Sequence, residues 1–205
     1  RNNHTIVNSK MLFEKYRHNC KKIDLIKTTT LSQKDFFKRT DTCLNKKINL
    51  LYTGRIEREK GLFELFNAFS QIRKKHKNIY LNIVGWEENP GKHIEKELRK
   101  ISHSLEIENY ITFHGYKNIG KELNEMYRMA DIYILPSYHE GFPRTLWEAM
   151  ANSVPLICTS VGSIPLELDN GVDALIIEPK NSNEIKIAIK KLLSDSVLRK
   201  TLIKN

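Results

Sequence analysis

Six short apolar runs, all but the fifth followed by a stretch of helical periodicity, recur from residue 47 to the end of this 205-residue chain. No other feature constrains its fold so strongly. The runs cover residues 47–54, 79–85, 111–115, 132–135, 155–158 and 174–177, and each reads as a strand, 132–135 as a buried one. After the first, Leu62, Leu65, Phe66, Phe69 and Ile72 recur at helical spacing to about His76. Further helices are expected over 94–105, 123–129, 144–151, 184–193 and 197–203. Strands alternating with helices in this rhythm make a parallel sheet covered on both faces. The fold class is therefore α/β, a single doubly wound domain over residues 47–205.

The first 46 residues read differently. Thr5-Ile-Val7 ends a short strand, Asn8-Ser9 caps a helix, and Met11, Leu12, Phe13 and Tyr16 form its apolar stripe to about Cys20. Such a stripe packs on its own domain or lies on a membrane surface. Residues 23–26 are a second apolar run, and 28–43 are polar and weakly patterned, as a linker is. Residues 1–46 are read as the tail of a preceding domain plus a linker, and the chain, opening on Arg1, as part of a longer protein. The net charge of +10 is concentrated in this region: residues 1–48 hold 12 Lys and Arg against 4 Asp and Glu, the remainder 22 against 20. That excess reads first as a solvated lysine-rich face, in a chain heavy in Lys, Asn and Ile, and second as a surface for anionic lipid at the inner face of a membrane. A nucleic-acid partner is not expected, because the aromatic and arginine interleaving it needs is missing. Cys20, Cys43 and Cys158 form no metal-binding or redox spacing, which points to reduced thiols and the cytoplasm. No run approaches the ~20 apolar residues of a membrane span.

Two loops carry the chemistry. Strand 47–54 runs into Gly54-Arg55-Ile-Glu-Arg-Glu-Lys60-Gly61, which sets two cations at a strand's carboxyl end, where open α/β sheets bind ligands. Arg55 can grip phosphate as a planar fork and Lys60 as a point charge; Arg58 reads as a solvated charge. Strand 132–135 leads through an irregular connection into a helix at Arg144, with Pro143 read as a first-turn proline. The helix aims its N–H groups and positive dipole end above the strand, favouring an anion there. Glu140 precedes the helix and can accept hydrogen bonds from hydroxyls, and Glu148 lies one turn into it. An anion flanked by hydroxyls describes a nucleotide sugar.

Glu140, seven residues and Glu148, with Gly-Phe-Pro between and Glu-Ala-Met-Ala after, resemble the signature of the group 1 (family 4) retaining nucleotide-sugar glycosyltransferases. The Gly54-Arg55 to Lys60-Gly61 loop and Phe113-His-Gly115 match further motifs of that family in its own order. The resemblance covers about residues 47–195. It implies the Rossmann-like C-terminal, donor-binding half of a two-domain GT-B enzyme. It implies that Arg55 and Lys60 hold the donor diphosphate, that Glu140 contacts sugar hydroxyls, and that Gly141, Phe142 and Pro143 line that pocket by backbone. Leu146 and Thr145 would offer backbone N–H groups to phosphate, Glu148 would hold the ribose, and Gly54 and the Gly115-Tyr116 loop would border the nucleotide and its base. It implies no metal and no cofactor beyond the nucleoside diphosphate sugar, and a saccharide or lipid-linked acceptor. The chain departs from the family at Asn152-Ser153 and at Trp86, both places where glycine is common. His139 reads as a loop residue or as a base. Two other functions fit the same fold, a non-catalytic nucleotide-sugar-binding module and a nucleotide-sugar epimerase. No elbow for a hydrolase nucleophile and no dinucleotide fingerprint is present.

Overall fold

A computed structural model of the chain describes residues 4–26 and 31–204. It opens on β1 (His4–Val7), α1 (Lys10–Tyr16) and β2 (Lys22–Leu25), with β1 and β2 paired in parallel. Ser9 caps α1 by accepting from Leu12 N–H. The helix expected to reach Cys20 stops at Tyr16. The unit rests on the rest of the molecule through Met11 N–H, which donates to Ser163 Oγ at 3.1 Å, and through Lys10 Nζ, which donates to the Leu166 carbonyl.

The remainder is β3 (Ile48–Thr53), α2 (Leu62–Arg73), β4 (Ile79–Val84), α3 (His93–Ser104), β5 (Ile111–Gly115), α4 (Lys121–Met129), β6 (Ile132–Leu135), α5 (Arg144–Ala151), β7 (Leu156–Thr159), α6 (Ile164–Glu167), β8 (Leu175–Ile177), α7 (Ser182–Ser194) and α8 (Ser196–Lys204). All six strands run parallel in the order β5-β4-β3-β6-β7-β8. This is the doubly wound sheet that the alternating runs lead one to expect. The chain walks outward from β3 to β5, returns through α4 to β6, and walks outward the other way. With right-handed crossovers the two walks put their helices on opposite faces. Leu50, Leu51 and Tyr52 are buried one after another, as they must be in a strand covered on both sides.

Three local expectations are corrected. Pro143 is the residue before the first turn of α5, extended at φ −75° and ψ 128°, with Arg144 the first helical residue. The connection at 159–165 holds the start of α6, a turn too short for a periodicity to show. The polar stretch expected as a linker is, over residues 31–43, fastened down; residues 27–30 lie outside the described residues. Asn124 Nδ2 donates to Asp35 Oδ1 at 2.8 Å, and Phe37 N–H donates to the Ala151 carbonyl at 2.8 Å. Arg39 spreads its guanidinium over four carbonyls, of Tyr127, Arg128, Ala130 and Ser153, at 2.7–3.3 Å. Asp41 pairs with Arg199 of α8 at 2.7 Å, with both side chains buried. The three cysteines are free, and burial pushes the Cys158 thiol up to about 12.

Replacing Arg39 with alanine strips donors from a group of partly buried carbonyls, a loss worth about 2–4 kcal/mol. Urea unfolding of Arg39→Ala should show that loss, and Arg17→Ala, which removes an exposed ion pair with Glu14 and an exposed hydrogen bond to His18, should lie within about 0.5 kcal/mol of the parent.

Candidate functional site

β3 and β6 are neighbours whose outgoing chains leave for opposite faces, and a crevice opens at their carboxyl ends, where doubly wound sheets bind ligands. A cavity of about 340 Å³ lies there. Thr53, Gly54 and Arg55 after β3, Val84, Gly85 and Trp86 after β4, and Tyr116 and Lys117 after β5 form one side. Arg144, Thr145 and Glu148 of α5 close it, with Ile119 and Leu123 of the α4 approach.

Beneath it runs a buried polar network. Tyr127 of α4 donates its hydroxyl to Glu148 Oε2 at 2.9 Å, and Thr53 Oγ1 lies 2.7 Å from the Tyr127 hydroxyl and 3.1 Å from that of Tyr133. Burial first, then the neighbouring tyrosine and Glu148, hold the Tyr127 hydroxyl far above the usual phenol range, so it stays a donor. A carboxylate fixed by a buried donor holds one orientation. Glu148 can therefore present its other oxygen to a hydroxyl in the cavity.

The mouth is aromatic. Trp86 and Tyr116 meet edge to face with centroids 5.0 Å apart, and at 41% and 55% exposure both keep ring surface open to a planar group. The Trp86 carbonyl accepts Ile56 N–H at 2.8 Å, and the Tyr52 hydroxyl donates to the Arg55 carbonyl at 2.6 Å. The backbone around Arg55 is thus held from two sides while its guanidinium, near Glu57 and Glu88, remains half exposed.

Beside the cavity lies a second cluster. Lys60 Nζ pairs with Glu140 Oε1 at 2.7 Å, with side chains only 16% and 12% exposed. Two glycines make the approach possible. Gly61 is left-handed (φ +69°), and a Cβ on it would sit 2.0 Å from the Pro136 carbonyl oxygen; one on Gly162 (φ +59°) would sit 1.8 Å from that of Glu140. Tyr138 N–H donates to the Glu59 carbonyl at 2.7 Å, and Ser163 N–H to that of Gly141 at 2.8 Å.

Of the residues expected from sequence, Gly54, Arg55, Tyr116, Thr145 and Glu148 share the cavity. Lys60, Glu140, Gly141 and Pro143 belong to the adjoining loops. Phe142 packs on Trp147 at 4.7 Å between centroids, and Gly115 ends β5 with its carbonyl accepting from Gly85 N–H. Leu146 is fully buried and its N–H is taken by the Pro143 carbonyl at 3.1 Å, so the first-turn N–H groups of α5 without an intrahelical acceptor are those of Arg144 and Thr145. His139 is exposed. Sequence reasoning missed Tyr127, Lys117 and Arg144 as site residues. In the sequence, Tyr127 is one more large residue on the buried side of a helix.

The profile of the family described as glycosyl transferases group 1 matches residues 33–205. A capsular polysaccharide biosynthesis glycosyltransferase of Staphylococcus aureus is 29% identical over 170 residues, 78% of this chain and 40% of that protein. Among solved structures, sucrose-phosphate synthase from Thermosynechococcus elongatus superposes with a TM-score of 0.79 at 27% identity, over 98% of this chain and 51% of that one. Anabaena HepE in complex with UDP-glucose gives 0.84 at 19% identity, over 98% of this chain and 56% of that one, a likeness of fold. The chain spans less than half the length of the curated relatives it matches.

Tyr127→Phe should cost about 1–2 kcal/mol in chemical denaturation, because it leaves a buried carboxylate without its donor. Tyr116→Ala, at the exposed mouth, should change stability by less than about 0.5 kcal/mol.

Proposed function

Because the chain belongs to the group 1 glycosyl transferases, we propose that it is the donor-binding half of an enzyme that moves a sugar from a nucleoside diphosphate sugar to an acceptor hydroxyl, with retention. One observation carries the reading. A single cavity at the topological switch point joins three cations, Arg55, Lys117 and Arg144, to a fixed carboxylate, Glu148, and an open aromatic pair. Those groups answer the three parts of a nucleotide. The cations and the start of α5 suit a diphosphate, Glu148 suits ribose hydroxyls, and Trp86 with Tyr116 suits a base. Lys60 and Glu140, one loop away, then serve the outer phosphate and the sugar. The UDP-glucose complex of the similarly folded HepE supports a sugar nucleotide as donor. The S. aureus relative, named for capsular polysaccharide biosynthesis, supports a saccharide acceptor.

In the reaction, the bond from the anomeric carbon to the diphosphate oxygen breaks as that to the acceptor oxygen forms, and the acceptor hydroxyl's proton passes to the departing diphosphate. Charge grows on the departing diphosphate. Arg55, Lys60 and the first-turn N–H groups of Arg144 and Thr145 stabilise it, the N–H groups without reorganisation at the moment of transfer. Retention is the part of the reading that rests on the Glu140 to Glu148 pattern. Residues 1–46, in the same proposal, close a preceding domain that supplies the acceptor site, and the enzyme works in the cytoplasm at the membrane's inner face.

Calorimetric titration with UDP, GDP and ADP tests the reading. One nucleotide should bind saturably, and Lys60→Ala should weaken it by about tenfold or more, the loss expected when a charge-assisted contact to phosphate is removed. Binding of none at millimolar concentration by the intact folded protein would sink the assignment.

A further inference from the structure

The lysine expected to hold phosphate is already engaged. Lys60 Nζ lies 2.7 Å from Glu140 Oε1, and the surrounding backbone leaves the pair little choice. Glu59 accepts from Tyr138 N–H, Gly61 abuts the Pro136 carbonyl, and Gly162 abuts the carbonyl of Glu140 from behind. These contacts fix the two backbones on both sides of the pair. Only side-chain torsions can separate the charges. The pair is also largely shielded from water, so little screening weakens its mutual attraction. An anion that reaches Lys60 must displace Glu140 or share the lysine with a carboxylate a few ångströms away.

Resting on the donor-site reading above, we propose that Glu140 sets the specificity between a sugar nucleotide and the bare nucleotide, by acting as a built-in competitor for Lys60. A nucleoside diphosphate alone takes the lysine and leaves Glu140 partly buried, unpaired and next to the incoming negative charge, which is costly. A nucleoside diphosphate sugar brings hydroxyls that donate to Glu140 and relieve that cost. The same carboxylate that holds the sugar thus weakens the product that has lost it. After transfer Glu140 returns to Lys60, and the spent diphosphate leaves.

The test measures Kd of the intact protein for UDP, GDP and ADP and for UDP-glucose, GDP-mannose and ADP-glucose, with Glu140→Gln, Lys60→Ala and the double variant, at one ionic strength. Thermal unfolding midpoints near the parent's verify the fold, with Glu140→Ser as the second carboxylate-free variant if Glu140→Gln does not fold. Glu140→Gln should tighten the bare nucleotide that binds about fivefold, equivalent to about 1 kcal/mol. It should leave the corresponding sugar nucleotide unchanged or weaker, and the double variant should bind the bare nucleotide no better than Lys60→Ala. If Glu140→Gln leaves the bare nucleotide unchanged or weaker while Lys60→Ala still weakens it, the competition is overturned and the donor site stands. Wild-type affinity in Lys60→Ala overturns both.

Discussion

The geometry of the site depends on the divergence of two adjacent parallel strands. β3 and β6 lie side by side at the middle of the sheet, and the chain leaves β3 for α2 and β6 for α5. No connection crosses the gap between them, so a crevice is a topological necessity. Its walls are rigid because both strands are buried on both faces. What the sequence adds is the chemistry at the strand ends: a two-cation loop after one, and a loop and helix with two carboxylates after the other.

The doubly wound sheet was legible because a central strand covered on both faces, such as β6, is apolar throughout, and six largely apolar runs stand out along a chain of helical periodicities. The lining of the crevice was legible where it lies in one loop, as Gly54 and Arg55 do, or in one helix start, as Thr145 and Glu148 do. Tyr127 and Thr53 were not. They meet across 74 residues, and nothing local distinguishes a tyrosine that packs from one that aims its hydroxyl at a carboxylate. Arg39 was hidden for a related reason. Its partners are backbone carbonyls, which leave no trace in residue identity, so a tightly bound strap has the composition of a loose linker. Trp86 stood out only as a bulky residue in a place where glycine is common; its contact with Tyr116 gives that departure a physical setting.

Charge has two uses in the molecule. Part of the basic excess near the start is internal: Arg39 satisfies carbonyls at the end of α4 and after α5, where helices leave acceptors without donors. At the crevice Arg55, Lys117 and Arg144 line the cavity, where the positive end of α5 adds to their field. The buried Asp41–Arg199 pair belongs to the first group. Removing either partner would strand a charge, so the pair specifies where α8 docks more than it adds net stability.

The order of strands in the sheet also governs how the protein is made. β3 emerges from the ribosome first of the six but is central, and only its β4 side can pair early. The partner on its other side, β6, is about 80 residues further along, and Arg199, which latches Asp41, lies 158 residues beyond it. Over that stretch of synthesis a central strand of the domain has one open edge, the kind of surface that invites association with other nascent chains. The two loops that later frame the crevice come together only when β6 closes that edge, so the site appears late and all at once.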